Sequence, residues 1–249
     1  MPIQKPRGRK HPSHKKAYAS VAVLILLGAS SLTYAYANGY LSSRGSKSSI
    51  GTTSLTSATS VTSTSSTTTS SNCPTPPTST SGNIYTCIDT SLGSFEVELF
   101  AQLTPKTVAN FVNLSESGFY NNLVWWRIEP GFVIQTGDPT TRNGGGNRST
   151  WGQGTSGVSI PFEYSASLHN YAGYLGMAST GAGVGGSSQF YINLANNTSL
   201  DGKYAVFGKV VSGIAVVQAI GAVPVEAVGS IHEPVTPIYV RSITIFGST

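Results

Sequence analysis

The protein is a chain of 249 residues with 15 Lys and Arg, 10 Asp and Glu, and a formal net charge of +5. Residues 1–82 carry eight basic side chains and no acidic one, a net charge of +8, whereas residues 83–249 carry seven basic and ten acidic side chains, a net charge of −3. The second part therefore lacks the surplus of clustered cations that nucleic-acid binding requires. The two cysteines, Cys73 and Cys87, are too few for a disulfide scaffold or a four-cysteine zinc site.

The N-terminal region has the pattern of a membrane or export signal. Residues 1–16 form a basic tail, and residues 17–37 form an uncharged, largely apolar segment of 21 residues. Its length matches the ~20 residues that span a bilayer, which predicts a transmembrane anchor with a cytoplasmic tail. Small residues at Ala35 and Ala37 also match the cleavage site of a signal peptide. We expect a single-pass protein of the cell membrane with its domain outside the cytoplasm, or a secreted protein cleaved near Ala37.

A linker is predicted between this segment and the folded domain. Residues 38–82 are dominated by Ser and Thr, with three prolines near the end. They offer too few apolar side chains to offset the entropy of ordering, which predicts a disordered linker. Cys73 lies in this linker and Cys87 in the first predicted strand. Two alternatives stay open: a disulfide between them in an oxidising compartment, or a buried Cys87 that does not pair with Cys73.

Residues 83–249 are predicted to form one mainly β domain. Apolar and polar residues alternate over residues 84–89 and 94–100, which indicates a β-hairpin. Thr104 and Pro105 suit the start of a helix that ends at Gly118. Further strands are predicted over residues 158–162, 174–178, 189–194, 205–210 and 238–246, and a second helix over residues 212–220. This order predicts a closed antiparallel barrel capped by two α-helices.

A second hairpin is predicted around Pro130 and Gly131, a strong turn signal between two apolar runs. With residues 130–132 as the loop, Arg127 pairs with Gln135, Ile128 with Ile134, and Glu129 with Val133. Directly opposed residues share a face of the sheet. A cation and an amide are therefore expected side by side among large apolar groups, although this pattern alone also fits a surface ion pair of Arg127 with Glu129.

The domain lacks the usual signs of acid–base, nucleophilic or metal chemistry. It contains only His169 and His232 as histidines, with no Gly-x-Ser-x-Gly or His-Glu-x-x-His motif. Neither cysteine stands in a catalytic motif. No metal or cofactor is predicted. What remains suits a reaction that requires no acid, base or nucleophile.

Five segments follow one another along the domain: residues 91–99 (SLGSFEVEL), 104–111 (TPKTVANF), 125–139 (WWRIEPGFVIQTGDP), 188–192 (SQFYI) and 200–210 (LDGKYAVFGKV). In this order they resemble the cyclophilins, a family of peptidyl-prolyl cis–trans isomerases. The resemblance covers nearly all of residues 84–246 and implies a closed eight-stranded antiparallel β-barrel capped by two α-helices. With its N-terminal signal, the chain is identified as a bacterial-like member that is membrane-anchored or exported.

The resemblance also implies roles for particular residues. Arg127 matches the catalytic arginine. The remaining site residues would hold the substrate: Phe132, Val133, Tyr191 and Leu200 around the proline ring, Gln135, Ala178 and Ser179 along the peptide, and Tyr204 where many members have a histidine. The partners implied are proline-containing peptides and unfolded exported proteins, bound by a monomer without cofactor.

Several positions depart from the common pattern of the family. Trp126 replaces a histidine, Val133 a larger residue, and Tyr191 a phenylalanine, which is expected to add a hydroxyl at the pocket. Ser199 replaces the tryptophan that many eukaryotic members use to bind cyclosporin, so weak cyclosporin binding is expected. We predict an isomerase that assists the folding of extracytoplasmic proteins. The alternative is a module that binds proline segments without turnover, which has no need for Arg127.

Overall fold

The computed structural model describes residues 84–246, which form a mainly β domain, as predicted. Its helices are α1, Pro105–Glu116, and α2, Ile214–Gly221, with short 3-10 turns at Pro139–Gly144, Arg148–Thr150 and Thr198–Leu200. The strands are β1 Ile84–Thr90, β2 Gly93–Leu99, β3 Leu123–Val124, β4 Arg127–Glu129, β5 Val133–Thr136, β6 Tyr174–Ser179, β7 Gly186–Asn193, β8 Val206–Ser212, β9 Val225–Val228, β10 Ile231–Pro234 and β11 Tyr239–Phe246.

The main sheet has nine antiparallel strands in the order β3-β11-β1-β2-β8-β6-β7-β5-β4. The prediction of a closed eight-stranded barrel is therefore wrong. The edge strands β3 and β4 follow each other along the chain and are separated by Trp125 and Trp126. The backbone N–H of Trp125 donates to the carbonyl of Ile238 at 2.8 Å and so continues the pairing of β3 with β11, whereas β4 pairs with β5. The chain thus passes from one edge of the sheet to the other at these two residues, and β3 and β4 do not pair with each other. Within residues 84–246 the sheet is a curled half-barrel.

Two other strand assignments differ from the sequence prediction. Residues 158–162 are not a strand, because Pro161 has no N–H to donate to a neighbouring strand. The segment is held by isolated hydrogen bonds, such as the one from Ile160 N to Gly186 O at 2.9 Å. The hairpin of β9 and β10 was not predicted. Its residues do not alternate between apolar and polar, and most of its side chains are partly or fully exposed.

Helix α1 packs on the sheet through an apolar stripe of Val108, Phe111 and Val112, which are all buried. Thr104 occupies the N-cap position, but its side chain does not cap the helix. The carboxylate of Glu163 instead accepts the backbone N–H of Lys106 at 3.1 Å and that of Thr107 at 2.7 Å. An anion at a helix N-terminus satisfies free N–H groups and the helix dipole. Glu163 thereby ties the long loop before β6 to α1.

The predicted hairpin around Pro130 and Gly131 is confirmed. Arg127 pairs with Gln135, Ile128 with Ile134, and Glu129 with Val133. The N–H of Phe132 donates to the carbonyl of Glu129 at 2.9 Å, and Gly131 has a φ of 74°. Proline followed by a residue with positive φ suits a type II turn, which explains why Pro130 and Gly131 predict a turn in the sequence. The hairpin joins the sheet through β5 and β7.

Several sequence predictions lie outside the described residues. These are the basic tail at residues 1–16, the apolar segment at residues 17–37, the linker at residues 38–82 and the proposed disulfide partner Cys73. Cys87 is fully buried on β1.

Candidate active site

One pocket brings together all the site residues that the sequence suggested, with an empty volume of about 410 Å³. Four structural features supply its walls: the β4–β5 hairpin, the end of β6, the middle of β7, and the segment from the 3-10 turn at Thr198–Leu200 towards β8. Its lining consists of Arg127, Phe132, Val133, Gln135, Ala178, Ser179, Tyr191, Leu200 and Tyr204.

Most of this lining is apolar. Val133 and Tyr191 are buried in the floor, and Phe132 and Leu200 are half-buried at the sides. The rings of Tyr191 and Tyr204 meet edge to face, with centroids 6.1 Å apart. Such a cavity favours a compact apolar group, with a few polar groups at one side to orient it.

The main polar group is the guanidinium of Arg127, which is only 6% exposed. Its Nε donates to Oε1 of Glu129 at 3.1 Å, and its Nη1 donates to Oε1 of Gln135 at 3.3 Å. Its Nη2 makes no hydrogen bond to any residue between 84 and 246. Burial lowers the pKa of Arg127, and the charge and hydrogen bond of Glu129 oppose that shift. The contact with Glu129 is thus a largely buried ion pair, not the surface pair that the sequence alone allowed.

Glu129 is held from its other side by the β9–β10 hairpin. Its Oε2 lies 2.7 Å from Nδ1 of His232, and its Oε1 accepts the backbone N–H of His232 at 3.2 Å. The sequence suggested no role for His232, because 102 residues separate it from Glu129 along the chain. Only the unpredicted hairpin brings the two together.

Gln189 is a further site residue without a predicted role. Its Oε1 accepts hydrogen bonds from Nε2 of Gln135 at 3.0 Å and from Nε1 of Trp126 at 3.2 Å. Its Nε2 donates to the carbonyls of Gly152 and Gly154 at 2.9 and 2.8 Å. Strand alternation was the available signal, since Gln189 and Tyr191 must share a face of β7. Gln189 fixes the amide of Gln135 beside Arg127.

The hydroxyl of Tyr191 does not face the pocket. It donates to Oδ1 of Asn170 at 2.7 Å within a buried polar cluster. Asn170 is held in turn by Asp201, through its backbone N–H at 2.8 Å and its side-chain amide at 3.0 Å. Burial raises the pKa of the Tyr191 phenol. The hydroxyl was expected to line the pocket, but it anchors the ring of Tyr191 from beneath the pocket. The face of the ring is left to contact a ligand.

A second, wider pocket adjoins the first and shares Gln135, Ala178 and Ser179 with it. Its empty volume is about 1090 Å³, and residues 180–185 between β6 and β7, a Gly-rich loop, form one wall. Glycines let a bound backbone approach closely. Because the two pockets share these residues, they form one groove, with Arg127 in the first pocket and the Gly-rich loop in the second.

Residues 85–245 match the family described as cyclophilin type peptidyl-prolyl cis-trans isomerase/CLD. The chain is 46% identical over 136 residues to peptidyl-prolyl cis-trans isomerase-like 1 of Aspergillus oryzae, covering 54% of this chain and 80% of the relative. It is 38% identical over 159 residues to peptidyl-prolyl cis-trans isomerase-like 3 of Homo sapiens, covering 64% of this chain and 93% of the relative.

Solved structures of a Cryptosporidium parvum cyclophilin type peptidyl-prolyl cis-trans isomerase also resemble the domain. One has a TM-score of 0.59 at 29% identity, covering 68% of this chain and 100% of that chain. Another, determined in the presence of the dipeptide Ala-Pro, has a TM-score of 0.55 at 30% identity, covering 67% of this chain and 100% of that chain. The fold and the match over residues 85–245 define the class: an enzyme of the peptidyl-prolyl cis–trans isomerase type. The chain belongs to the cyclophilin family.

These relatives correct two predictions. The bacterial-like assignment is not supported, because the relatives above come from a fungus, a mammal and a protist. Within residues 84–246 there is no helix with the length and apolar character needed to cross a bilayer. The relatives are named as isomerase-like proteins 1 and 3, not as membrane or exported proteins. These relatives contradict the predicted localisation in the cell membrane or outside the cell, and they do not support the predicted extracytoplasmic role.

Proposed function

We propose that Arg127 catalyses rotation about Xaa–Pro bonds by donating a hydrogen bond to the proline nitrogen. Amide resonance sets a rotation barrier of ~20 kcal/mol for a peptide bond, and uncatalysed Xaa–Pro isomerisation takes tens to hundreds of seconds. In the twisted transition state resonance is lost and the nitrogen regains a lone pair. A donor placed at that nitrogen stabilises the twisted state more than either planar state, which is the requirement for catalysis.

The geometry of Arg127 supports this role. Its Nε and one N–H of Nη1 are held by Glu129 and Gln135, so Nη2 is the guanidinium nitrogen whose two N–H groups are both left for a ligand. Arginine stays protonated near neutral pH, and its planar fork loses little freedom on bonding. In a site where Arg127 is 6% exposed, few water molecules compete with the ligand or reorganise as it twists. This preorganised, partly unsatisfied cation is the observation that carries the proposal.

The apolar wall around Arg127 would hold the proline ring while the preceding residue turns. Phe132, Val133, Tyr191 and Leu200 form a cavity suited to one compact saturated ring. Gln135, Ala178 and Ser179 would line the path of the peptide towards the wider pocket, and Tyr204 would close the ring pocket from above. The relative studied in the presence of Ala-Pro supports a proline-containing peptide as the ligand. All of these residues come from one chain, so one copy is sufficient to form the site. We propose that the protein acts as a monomer on exposed prolines of other proteins.

The proposal is tested by measuring isomerisation of an Xaa–Pro tetrapeptide by the full chain and by Arg127→Ala. Loss of one preorganised donor is expected to lower kcat by roughly 10²–10³-fold. Peptide affinity, measured separately by titration, is expected to change little because the ring pocket remains. Equal rates for the two proteins would reject the catalytic role and favour a module that binds proline segments without turnover.

A further inference from the structure

We propose that His232 is a positioning residue for prolyl isomerisation, acting on Arg127 through Glu129. This inference rests on the proposed role of Arg127 and adds a residue from a different part of the fold. It concerns the relay of His232, Glu129 and Arg127, three side chains joined by successive hydrogen bonds of 2.7 and 3.1 Å.

The proposed role of Arg127 requires its guanidinium to be held in one orientation. Its side chain is long, and its bond to Gln135 at 3.3 Å is at the weak end of the range. The bond from Nε to Glu129 is shorter, at 3.1 Å, and joins opposite charges. A guanidinium that is 6% exposed is costly without a counter-charge. Glu129 therefore both neutralises the cation and fixes the direction in which Nη2 points.

Glu129 can fix that direction only if its own carboxylate is fixed. It stands on a strand of three residues, next to the exposed Pro130–Gly131 turn, and its side chain is 15% exposed. His232 occupies both oxygens: Nδ1 of its ring lies 2.7 Å from Oε2, and its backbone N–H reaches Oε1 at 3.2 Å. A carboxylate accepts but does not donate, so Nδ1 of His232 carries the proton in this contact. The carboxylate held in this way has one orientation.

His232 is itself anchored by the fold. It pairs with Ala227 across the β9–β10 hairpin. That hairpin is tied down by Arg148, which bonds Glu233 at 2.9 Å, Glu226 at 2.6 Å and the carbonyl of Pro234 at 2.6 Å. The imidazole is 45% exposed and makes no other hydrogen bond within the described range. The hairpin therefore fixes the backbone of His232, and the imidazole is left to bind Glu129.

His232→Ala tests the relay in the full chain. The β4–β5 turn and the ring pocket are untouched, so KM and peptide affinity are expected to stay within about twofold. The loosened guanidinium is expected to lower kcat about tenfold, since small misplacements of a reacting group have effects of this order. His232→Asn is expected to restore kcat to within about twofold of the wild type, because its amide N–H can take the place of Nδ1–H.

Two further variants separate positioning from general stability. In a Glu129→Ala background, His232→Ala is expected to cause no additional loss, because the link to Arg127 is already broken. Lys209→Ala serves as the matched control: the Lys209 side chain is 39% exposed, and its Nζ lies 2.9 Å from Glu98 in an ion pair that contains no residue of the pocket. Its kcat is expected to equal that of the wild type. Wild-type peptide affinity in each variant shows that the pocket is folded.

Three results would overturn the proposal: wild-type kcat in His232→Ala, equal losses in His232→Ala and His232→Asn, or a full additional loss in the Glu129→Ala background. An inactive Arg127→Ala together with a fully active His232→Ala would reject only the relay. An active Arg127→Ala would reject both the relay and the proposed function.

Discussion

The ring of Tyr191 fills the space above the α-carbon of Gly176. The two residues are opposed in the pairing of β7 with β6, and a β-carbon at Gly176 would lie 2.2 Å from Cζ and 2.3 Å from Oη of Tyr191. The hydroxyl is bonded to Asn170, so the ring cannot slide along the strand without breaking that bond. Gly176 and Asn170 together set the ring that forms the floor of the pocket.

Gly176→Ala is accordingly expected to displace Tyr191. Overpacking of a dense interior commonly costs ~1–3 kcal/mol of unfolding free energy, and the shifted ring should raise KM for an Xaa–Pro peptide. Urea unfolding and steady-state kinetics measure the two effects. Gly181→Ala is the matched control, because a β-carbon there meets only Val184 at 3.5 Å, an ordinary contact. Similar stabilities for the two variants would contradict this account of the pocket floor.

Asp201 is expected to make the stability of the domain sensitive to acid. Burial raises its pKa, but the hydrogen bonds from Asn170 and the contact with His169 outweigh burial, so the pKa is lowered overall. A carboxyl with a lowered folded pKa stabilises the protein above its unfolded pKa of ~4, and this contribution disappears as the pH falls through the folded value. The difference in Tm between wild type and Asp201→Asn should therefore shrink below about pH 4. A difference that stays constant from pH 7 to pH 2 would exclude this linkage.

Cyclosporin is expected to inhibit the enzyme weakly. Ser199 is exposed in the 3-10 turn at Thr198–Leu200, where the resemblance to the cyclophilins implies a tryptophan in members that bind the drug. A serine offers no comparable apolar surface or indole N–H. Inhibition in the micromolar range is expected for the wild type, and tighter inhibition for Ser199→Trp, in the same isomerisation assay. Low-nanomolar inhibition of the wild type would show that other residues replace the tryptophan.

The local parts of the site could be predicted from the sequence. Pro130 and Gly131 define a turn, and the turn fixes the register that places Arg127 beside Gln135, as the structure confirms. Tyr191 and Leu200 belong to other segments, and only the resemblance to a family brought them into the same pocket. Their positions around one cavity agree with that expectation, while their roles stay predictions.

The remaining features depend on contacts between distant segments that no local pattern records. Glu163 binds the start of α1 at Thr107, with 55 residues between the two along the chain. His232 binds Glu129, with 102 residues between them. The closed barrel was predicted wrongly, because the break at Trp125 and Trp126 lies within an apolar run that looks like one continuous strand. Alternation along β7 places Gln189 on the same face as Tyr191, so its position near the site could be predicted. Its role could not, because a neutral amide is not typical of any one kind of site.

The most direct test of the central claim is the exchange rate of an Xaa–Pro peptide bound to the full chain, measured by NMR under saturating conditions. Saturation removes differences in affinity, so the rate reports only how fast the bound bond rotates. We expect fast cis–trans exchange with the wild type and a rate roughly 10²–10³-fold lower with Arg127→Ala, whose peptide affinity is retained. Equal exchange rates on the two proteins would contradict the role assigned to Arg127.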